Sequence, residues 1–109
     1  MTHYISGPMS GLPEFNFPAF ERCARKLRGQ GLCVVSPHEK GGEGEAGEAA
    51  WNKYLRADIV AMMACDSIVL LPGWSRSKGA RLELSIALAL GFAVWLWNGD
   101  ELVGFEAAS

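Results

Sequence analysis

The stretch that decides the fold reads SKGARLELSIALALG and spans residues 77–91. Ser77 is a preferred N-cap residue, and Gly91 is the residue type that most often follows the last turn of a helix. The Ala and Leu residues between them lose little conformational freedom in a helix. The pattern therefore predicts one helix over residues 78–91.

A carboxylate lies in the middle of the apolar face of this helix. At about 100° per residue, Lys78, Arg81 and Ser85 share one narrow polar arc. The rest of the surface is apolar and consists of Ala80, Leu82, Leu84, Ile86, Ala87, Leu88 and Leu90. Glu83 stands inside that apolar arc, where a carboxylate is usually paired, placed at a cavity or used in chemistry. The alternative is that Glu83 lies at the edge of the arc and reaches solvent.

Strands flank this helix in the sequence. The continuous apolar run at residues 67–71 is typical of the centre of a parallel sheet, and residues 92–97 form a further strand with Trp95 and Trp97 on one face. Residues 3–6 form a first strand that runs into the turn at 7–11, and residues 32–36 form a second. After Asn98-Gly99, a dipeptide typical of tight hairpins, residues 101–105 either return as an antiparallel edge strand or stay loose.

Two more helices complete the pattern. Asn16 as N-cap and Pro18 in the first turn predict a helix that ends near Arg28. Its expected buried stripe is Phe20, Cys23, Ala24 and Leu27. Residues 49–64 form the third helix, and its apolar side is Trp51, Tyr54, Leu55, Ile59, Ala61 and Met62.

Strands that alternate with helices predict one α/β domain over residues 1–109. We expect a three-layer α/β/α sandwich of the flavodoxin or Rossmann kind, with a mostly parallel sheet of four or five strands in the order 2-1-3-4. In such sheets ligands bind at the carboxyl ends of the strands, where the strand order reverses. That point lies between strands one and three, next to the segments 7–11 and 72–77.

Composition excludes several classes of function. The ten Lys and Arg residues against twelve Asp and Glu residues make a polymeric nucleic acid a poor candidate partner. The longest apolar run is too short to cross a membrane, and the N-terminus does not resemble a signal peptide, so we expect a cytoplasmic protein without membrane contact. Cys23, Cys33 and Cys65 form no CxxC pair and are expected to be reduced core residues. With two histidines in the chain, no metal site is expected.

A second acid lies on an apolar helix face. Asp58 stands at the centre of the apolar side of the helix at 49–64. Two helices that each carry one acid on a buried face point to a site more strongly than either alone, because each burial must be offset separately. The structural alternative pairs Asp58 with Tyr54 or Trp51, and Glu83 with Arg81 or Lys78.

The glycine-containing turn at 7–11 matches neither GxGxxG nor a P-loop, which argues against a dinucleotide or ATP, and no cofactor is expected. Ser77 and the free N–H groups of Lys78 and Gly79 form a helix N-terminus that could accept a phosphate or a sugar hydroxyl. The segment 37–48 is predicted to be a loop. It has either no role or that of a lid, with His38 and Glu39 nearest the ligand.

A carboxylate nucleophile with a second acid is the arrangement that cleaves a glycosidic bond through a covalent sugar intermediate. Glu83 and Asp58 supply two such acids. Tyr4, at the start of the first strand, could hold the nucleophile through its hydroxyl, although a tyrosine at such a position is more often a core residue.

Three motifs together resemble the nucleoside 2-deoxyribosyltransferase superfamily. They are Tyr4-Ile5-Ser6-Gly7-Pro8-Met9, Asp58 eight residues before Asp66, and Ser77-x-Gly79-x-x-x-Glu83-x-x-x-Ala87-x-x-x-Gly91. The resemblance extends to about Trp97 and is closest to a phage-associated branch, with 2′-deoxynucleoside 5′-phosphate N-hydrolases as relatives.

The resemblance implies a catalytic set. Glu83 would attack C1′ of a 2′-deoxynucleoside, Asp58 would assist departure of the base, and Tyr4 would orient Glu83. The substrate, a small nucleoside or nucleotide, would contact Ser6, Gly7, Pro8, Met9, Trp74, Ser77 and Gly79. No arginine stands in the 7–11 turn to bind a phosphate, a role that Arg76 or Lys78 could take. The apolar cover on both sides of the Glu83 helix suggests a homodimer.

Two other classes of function stay open from the sequence. A nucleotide-binding protein would use the same crevice without turnover, to sequester or sense its ligand. A structural protein would hold Glu83 and Asp58 only as a pair, and would bind no nucleotide.

Overall fold

The computed structural model describes residues 1–40 and 48–105, which form one five-stranded sheet with helices on both faces. In chain order the elements are β1 (Thr2–Ser6), α1 (Phe17–Gly29), β2 (Cys33–Val35), α2 (Glu48–Met62), β3 (Ser67–Leu70), α3 (Lys78–Ala89), β4 (Ala93–Trp97) and β5 (Leu102–Gly104). Short 3-10 turns cover Pro13–Asn16, Pro37–Lys40 and Trp74–Arg76.

The strand order is β2-β1-β3-β4-β5, which confirms the predicted order and adds the edge strand. β1 is parallel to β2 and β3, β3 is parallel to β4, and β5 is antiparallel to β4. After Asn98-Gly99 the chain returns as the antiparallel edge strand β5, which confirms the hairpin alternative. The N–H of Asn98 donates to the carbonyl of Glu101 at 3.2 Å, and the Asn98 side chain accepts bonds from the N–H groups of Asp100 and Glu101. The strand order reverses between β1 and β3, as expected for a ligand-binding crevice.

The sheet has a different cover on each face. The buried stripe of α1, as predicted, is Phe20, Cys23, Ala24 and Leu27, and it packs against Ile5 and Val69. On the other face α2 and α3 contribute Met62, Leu84 and Ala87 to a second cluster with Tyr4, Ile68 and Leu70. Because side chains alternate along a strand, β1 directs Tyr4 and Ser6 towards α2 and α3.

Two details differ from expectation. Cys33 is exposed, not part of the core, because β2 is an edge strand with a free side. α3 ends at Ala89, two residues early, although Gly91 has the positive φ of +78° that a C′ glycine adopts. On the side of α3 that the sheet does not cover, Leu82 and Leu88 are exposed, and so is Leu90, which follows the helix.

Within residues 1–40 and 48–105, no helix combines the length and apolar character that a membrane span requires.

Candidate active site

Glu83 is a buried carboxylate held by two hydroxyl groups of β1. Its side chain lies on the sheet side of α3 and is 5% exposed, so it does not reach solvent at the edge of the apolar arc. The Tyr4 hydroxyl donates to Oε2 at 3.0 Å, and the Ser6 hydroxyl donates to Oε1 at 2.6 Å. Tyr4 and Ser6 are themselves fully buried. One strand therefore orients both oxygens of the carboxylate.

Burial controls the protonation of this group. Desolvation raises the pKa of Glu83 to about 7, and the negative charge of Asp58 acts in the same direction. The hydrogen bonds from Ser6 and Tyr4 favour the ionised form and oppose the shift. Burial and the Glu83 charge raise the pKa of Tyr4, so its hydroxyl keeps its proton and stays a donor. The carboxyl of Glu83 therefore exchanges its proton near neutral pH.

Asp58 belongs to the same electrostatic environment. It is partly buried on α2, and its charge raises the pKa of both Glu83 and Tyr4. The structural alternative that pairs Glu83 with Arg81 or Lys78 does not match the geometry, since both Glu83 oxygens accept bonds from β1. Lys78 instead places its ammonium 4.7 Å from the centroid of the Trp51 ring.

The loops that follow β1 and β3 approach each other beside this carboxylate. A Cβ added at Gly7 would lie 2.8 Å from Cβ of Leu71, which is too close for any side chain. Gly73 has a φ of +88°, and a Cβ there would lie 3.3 Å from Cγ of Pro8. Glycine at these two positions lets the chain close the carboxyl edge of the sheet at the switch point.

We expect Gly7→Ala to lower the free energy of unfolding by about 1–3 kcal/mol, because the added methyl must displace Leu71, which is fully buried. Urea unfolding followed by far-UV circular dichroism measures this loss. Gly29→Ala is the matched control, since a Cβ there meets nothing within 4 Å, and it should be neutral or slightly stabilising. Equal stability of Gly7→Ala and the parent protein would contradict the close approach.

Most of the chain matches the model of a known protein family. The model of a family described as "Domain of unknown function (DUF4406)" matches residues 1–96. This chain belongs to the DUF4406 family. No curated protein matches it.

The DUF4406 chain is also similar to a solved structure. That structure is a 2-deoxyribosyltransferase from the psychrotolerant bacterium Bacillus psychrosaccharolyticus, described as a biocatalyst for the synthesis of antiviral and antitumoral nucleosides. The TM-score is 0.66 at 20% sequence identity, over 88% of this chain and 71% of that chain. The likeness shows that the DUF4406 chain has the fold of a 2-deoxyribosyltransferase.

Two of the expected ligand-binding residues, Ser77 and Gly79, lie at the start of α3, and two others, Met9 and Trp74, pack against the hydrophobic core. Ser77 is the predicted N-cap of α3, because its Oγ accepts the N–H of Ala80 at 3.2 Å, and Gly79 follows in the first turn. Met9 packs against the core on the α1 side. Trp74 packs in the cluster on the other face, with its ring centroid 5.9 Å from that of Phe105. Met9 and Trp74 thus have core contacts of their own.

His38 and Glu39 contact α1. The ring of His38 packs against Phe17 and Phe20, and its Nδ1 is hydrogen-bonded to Ser36. Glu39 forms a two-point ion pair with Arg28 at 2.6 and 2.8 Å. The rest of the predicted loop, residues 41–47, lies outside the described residues, and the lid interpretation stays a prediction.

The sequence did not predict that Ser6 binds Glu83. Ser6 was expected to contact substrate, yet its hydroxyl makes the shorter of the two bonds to the carboxylate. The available signal was the two-residue spacing of Tyr4 and Ser6, which puts both on one face of β1. In the part of the chain that the structure describes, no three His, Cys, Asp or Glu side chains are grouped to hold a metal ion.

Proposed function

We propose that this protein cleaves the N-glycosidic bond of a 2′-deoxynucleoside or its 5′-monophosphate, with Glu83 as the nucleophile. The observation that carries the proposal is the buried carboxylate whose two oxygens are held by Tyr4 and Ser6 of β1, the strand at which the strand order reverses towards β3. The solved relative's link to nucleosides supports the substrate class.

The proposed reaction has two steps. One carboxylate oxygen of Glu83 attacks C1′, and the bond from C1′ to the base nitrogen breaks. The base leaves with the electron pair of that bond, and Asp58 assists its protonation. Water or a second base then attacks C1′ of the deoxyribosyl ester and releases Glu83. Water makes the protein a hydrolase, related to the 5′-phosphate N-hydrolases, and a second base makes it a transferase.

The remaining residues form the proposed substrate site. The turn Gly7-Pro8-Met9 with Ser6 would face the sugar, and Ser77, Gly79 and Trp74 would surround the sugar-phosphate end. Arg76, immediately before the α3 N-cap, and Lys78, immediately after it, offer positive charge to a phosphate. No cofactor takes part in this scheme.

The direct test is chromatographic release of free base from a panel of 2′-deoxynucleosides and their 5′-monophosphates. We expect the parent protein and the exposed-acid control Glu101→Ala to release base, and Glu83→Ala to release none. Failure of the parent protein with every compound would overturn the proposal. A thermal shift with one nucleotide in that case would favour the binding protein, and no shift at all would favour a structural role.

We further propose a homodimer that forms through α2 and α3. The outer face of α1 is charged, whereas α2, α3 and the residues that follow them expose Val60 at 71%, Met63, Leu88 and Leu90. The exposed basic residues precede these apolar residues in both helices, at Lys53 and Arg56 and at Lys78 and Arg81. In a two-fold dimer with antiparallel helices, the apolar C-terminal ends of α2 and α3 could pack against those of the partner. The basic N-terminal halves of these helices would then lie far from each other, so a second copy fits this surface.

Val60→Asp combined with Leu90→Glu is expected to convert the dimer to a monomer in light scattering after size-exclusion chromatography. Leu12→Asp, an exposed leucine outside this surface, is the control and should leave the dimer intact. A parent protein that elutes as a monomer would contradict the proposal.

A cytoplasmic location and kinship with the phage-associated branch also stay proposals.

A further inference from the structure

Asn16 does not act as the helix cap that its position suggests. It directly precedes α1, yet its side chain makes no bond to the N–H groups of the first turn. Its Nδ2 instead donates to the carbonyl oxygen of Pro8 at 3.0 Å, and the residue is partly buried. The side chain therefore connects the start of α1 to the turn after β1.

The backbone that presents Asn16 is unfavourable. Glu14, Phe15 and Asn16 have φ angles of +52°, +53° and +61°, three consecutive left-handed residues without a glycine. Such a conformation is unfavourable for a residue with a Cβ, and least unfavourable for Asn. Strain of this kind persists only where the surrounding structure requires it, and it concentrates at functional sites. The Asn16 bond to Pro8 is the contact that this conformation makes possible.

The turn that Asn16 holds is continuous with the Glu83 site. Pro8 follows Ser6 by two residues, and the Ser6 carbonyl accepts the N–H of Leu71 at 2.8 Å. On the β3 side the ring of Pro8 lies against Gly73. On the α1 side the carbonyl of Pro8 is bound by Asn16. The turn is thus held between the β3 loop and the start of α1.

We propose that Asn16 is a positioning residue that fixes the Gly7-Pro8-Met9 turn as one wall of the substrate site. This inference rests on the proposed function, which gives that wall to the sugar of a deoxynucleoside. Asn16 acts through Pro8 and does not touch Glu83, so its loss changes substrate binding more than the chemical step.

The test compares variants that separate the side-chain bond from the backbone strain. Asn16→Asp keeps the shape and tolerates the left-handed conformation, but an ionised carboxylate has no N–H to donate. Asn16→Gly keeps the backbone and removes the side chain. Glu14→Gly is the matched control, since it relieves the strain at an exposed left-handed residue and leaves the Asn16 bond intact.

Two readouts are needed, hydrogen exchange of the amides at residues 7 and 9–12, since Pro8 has no N–H, and the kinetics of base release. Asn16→Asp and Asn16→Gly should speed exchange in this segment about tenfold and raise KM about tenfold, with kcat within threefold of the parent. Glu14→Gly should leave exchange and KM within twofold of the parent.

Unchanged exchange and KM in both Asn16 variants would overturn the inference. A lower Tm with an unchanged KM would also overturn it, because Asn16 would then serve folding alone. If the parent protein releases no base, the proposed function has failed, and the exchange data still decide whether Asn16 holds the turn.

Discussion

Glu83→Gln is expected to lower base release by about 10⁴-fold or more and to leave the protein folded. The amide matches the carboxylate in size and can still accept a hydrogen bond from β1, but it has no anionic oxygen to attack C1′. Losses of this size are typical when an enzyme loses its nucleophile. Single-turnover base release, with Glu101→Gln as the control, measures the effect. Substantial turnover by Glu83→Gln would remove Glu83 from the nucleophile role.

The same variant should show a pH-dependent gain in stability. Because burial raises the pKa of Glu83 to about 7, the folded chain holds a proton that the unfolded chain releases above its ordinary pKa of 4.5. The free energy of unfolding of the parent protein therefore falls as the pH rises from about 4.5 to about 7. Above pH 7 it stays lower by the whole cost of ionising the buried carboxyl. Gln carries no such proton.

The difference in unfolding free energy between Glu83→Gln and the parent should shift in favour of the variant by about 2–3 kcal/mol between pH 4.5 and pH 8. Urea unfolding at both pH values measures this shift. Glu101→Gln, at an exposed position, should show little change over the same range. A difference that does not vary with pH would mean that the Glu83 carboxyl ionises like an exposed one.

Ser6→Ala is expected to lower base release about 10–100-fold at pH 7 and to restore part of it at pH 9. The Ser6 bond favours the ionised carboxylate, so its loss raises the pKa of Glu83 and moves the rising limb of the pH profile to higher pH. Tyr4→Phe should act in the same direction with a smaller effect, because its bond is longer and lowers the pKa less. Profiles of kcat/KM from pH 5 to pH 9 measure the displacement.

Ser67→Ala is the control for a buried serine. Ser67 is fully buried on β3, and its Oγ is hydrogen-bonded at 2.8 Å to Nδ1 of His3, away from Glu83. This variant should lose stability without any displacement of the pH profile. Ser6→Ala could also lower kcat/KM at every pH without moving the rising limb of the pH profile. That result would show that Ser6 supports the fold and does not control the ionisation of Glu83.

The sequence predicted the features that depend on neighbours within a few residues. Ser77 caps α3 and Gly91 follows its end, since caps and helix stops are local interactions. The buried stripe of α1 follows from helical periodicity, and the parallel sheet follows from the alternation of strands and helices. Periodicity also placed Glu83 and Asp58 on the inner sides of their helices.

The tertiary structure alone decided which groups meet. Ser6 and Glu83 lie 77 positions apart, and the crossing of β1 beneath α3 brings their oxygens to 2.6 Å. The local sequence predicts that Asn16 caps α1, but its side chain donates to the carbonyl of Pro8 instead. Cys33 is exposed because β2 is an edge strand. Local patterns determine which side of an element a residue faces. The partner on that side depends on the packing of distant elements, so the hydroxyls that hold Glu83 could be identified only in the folded chain.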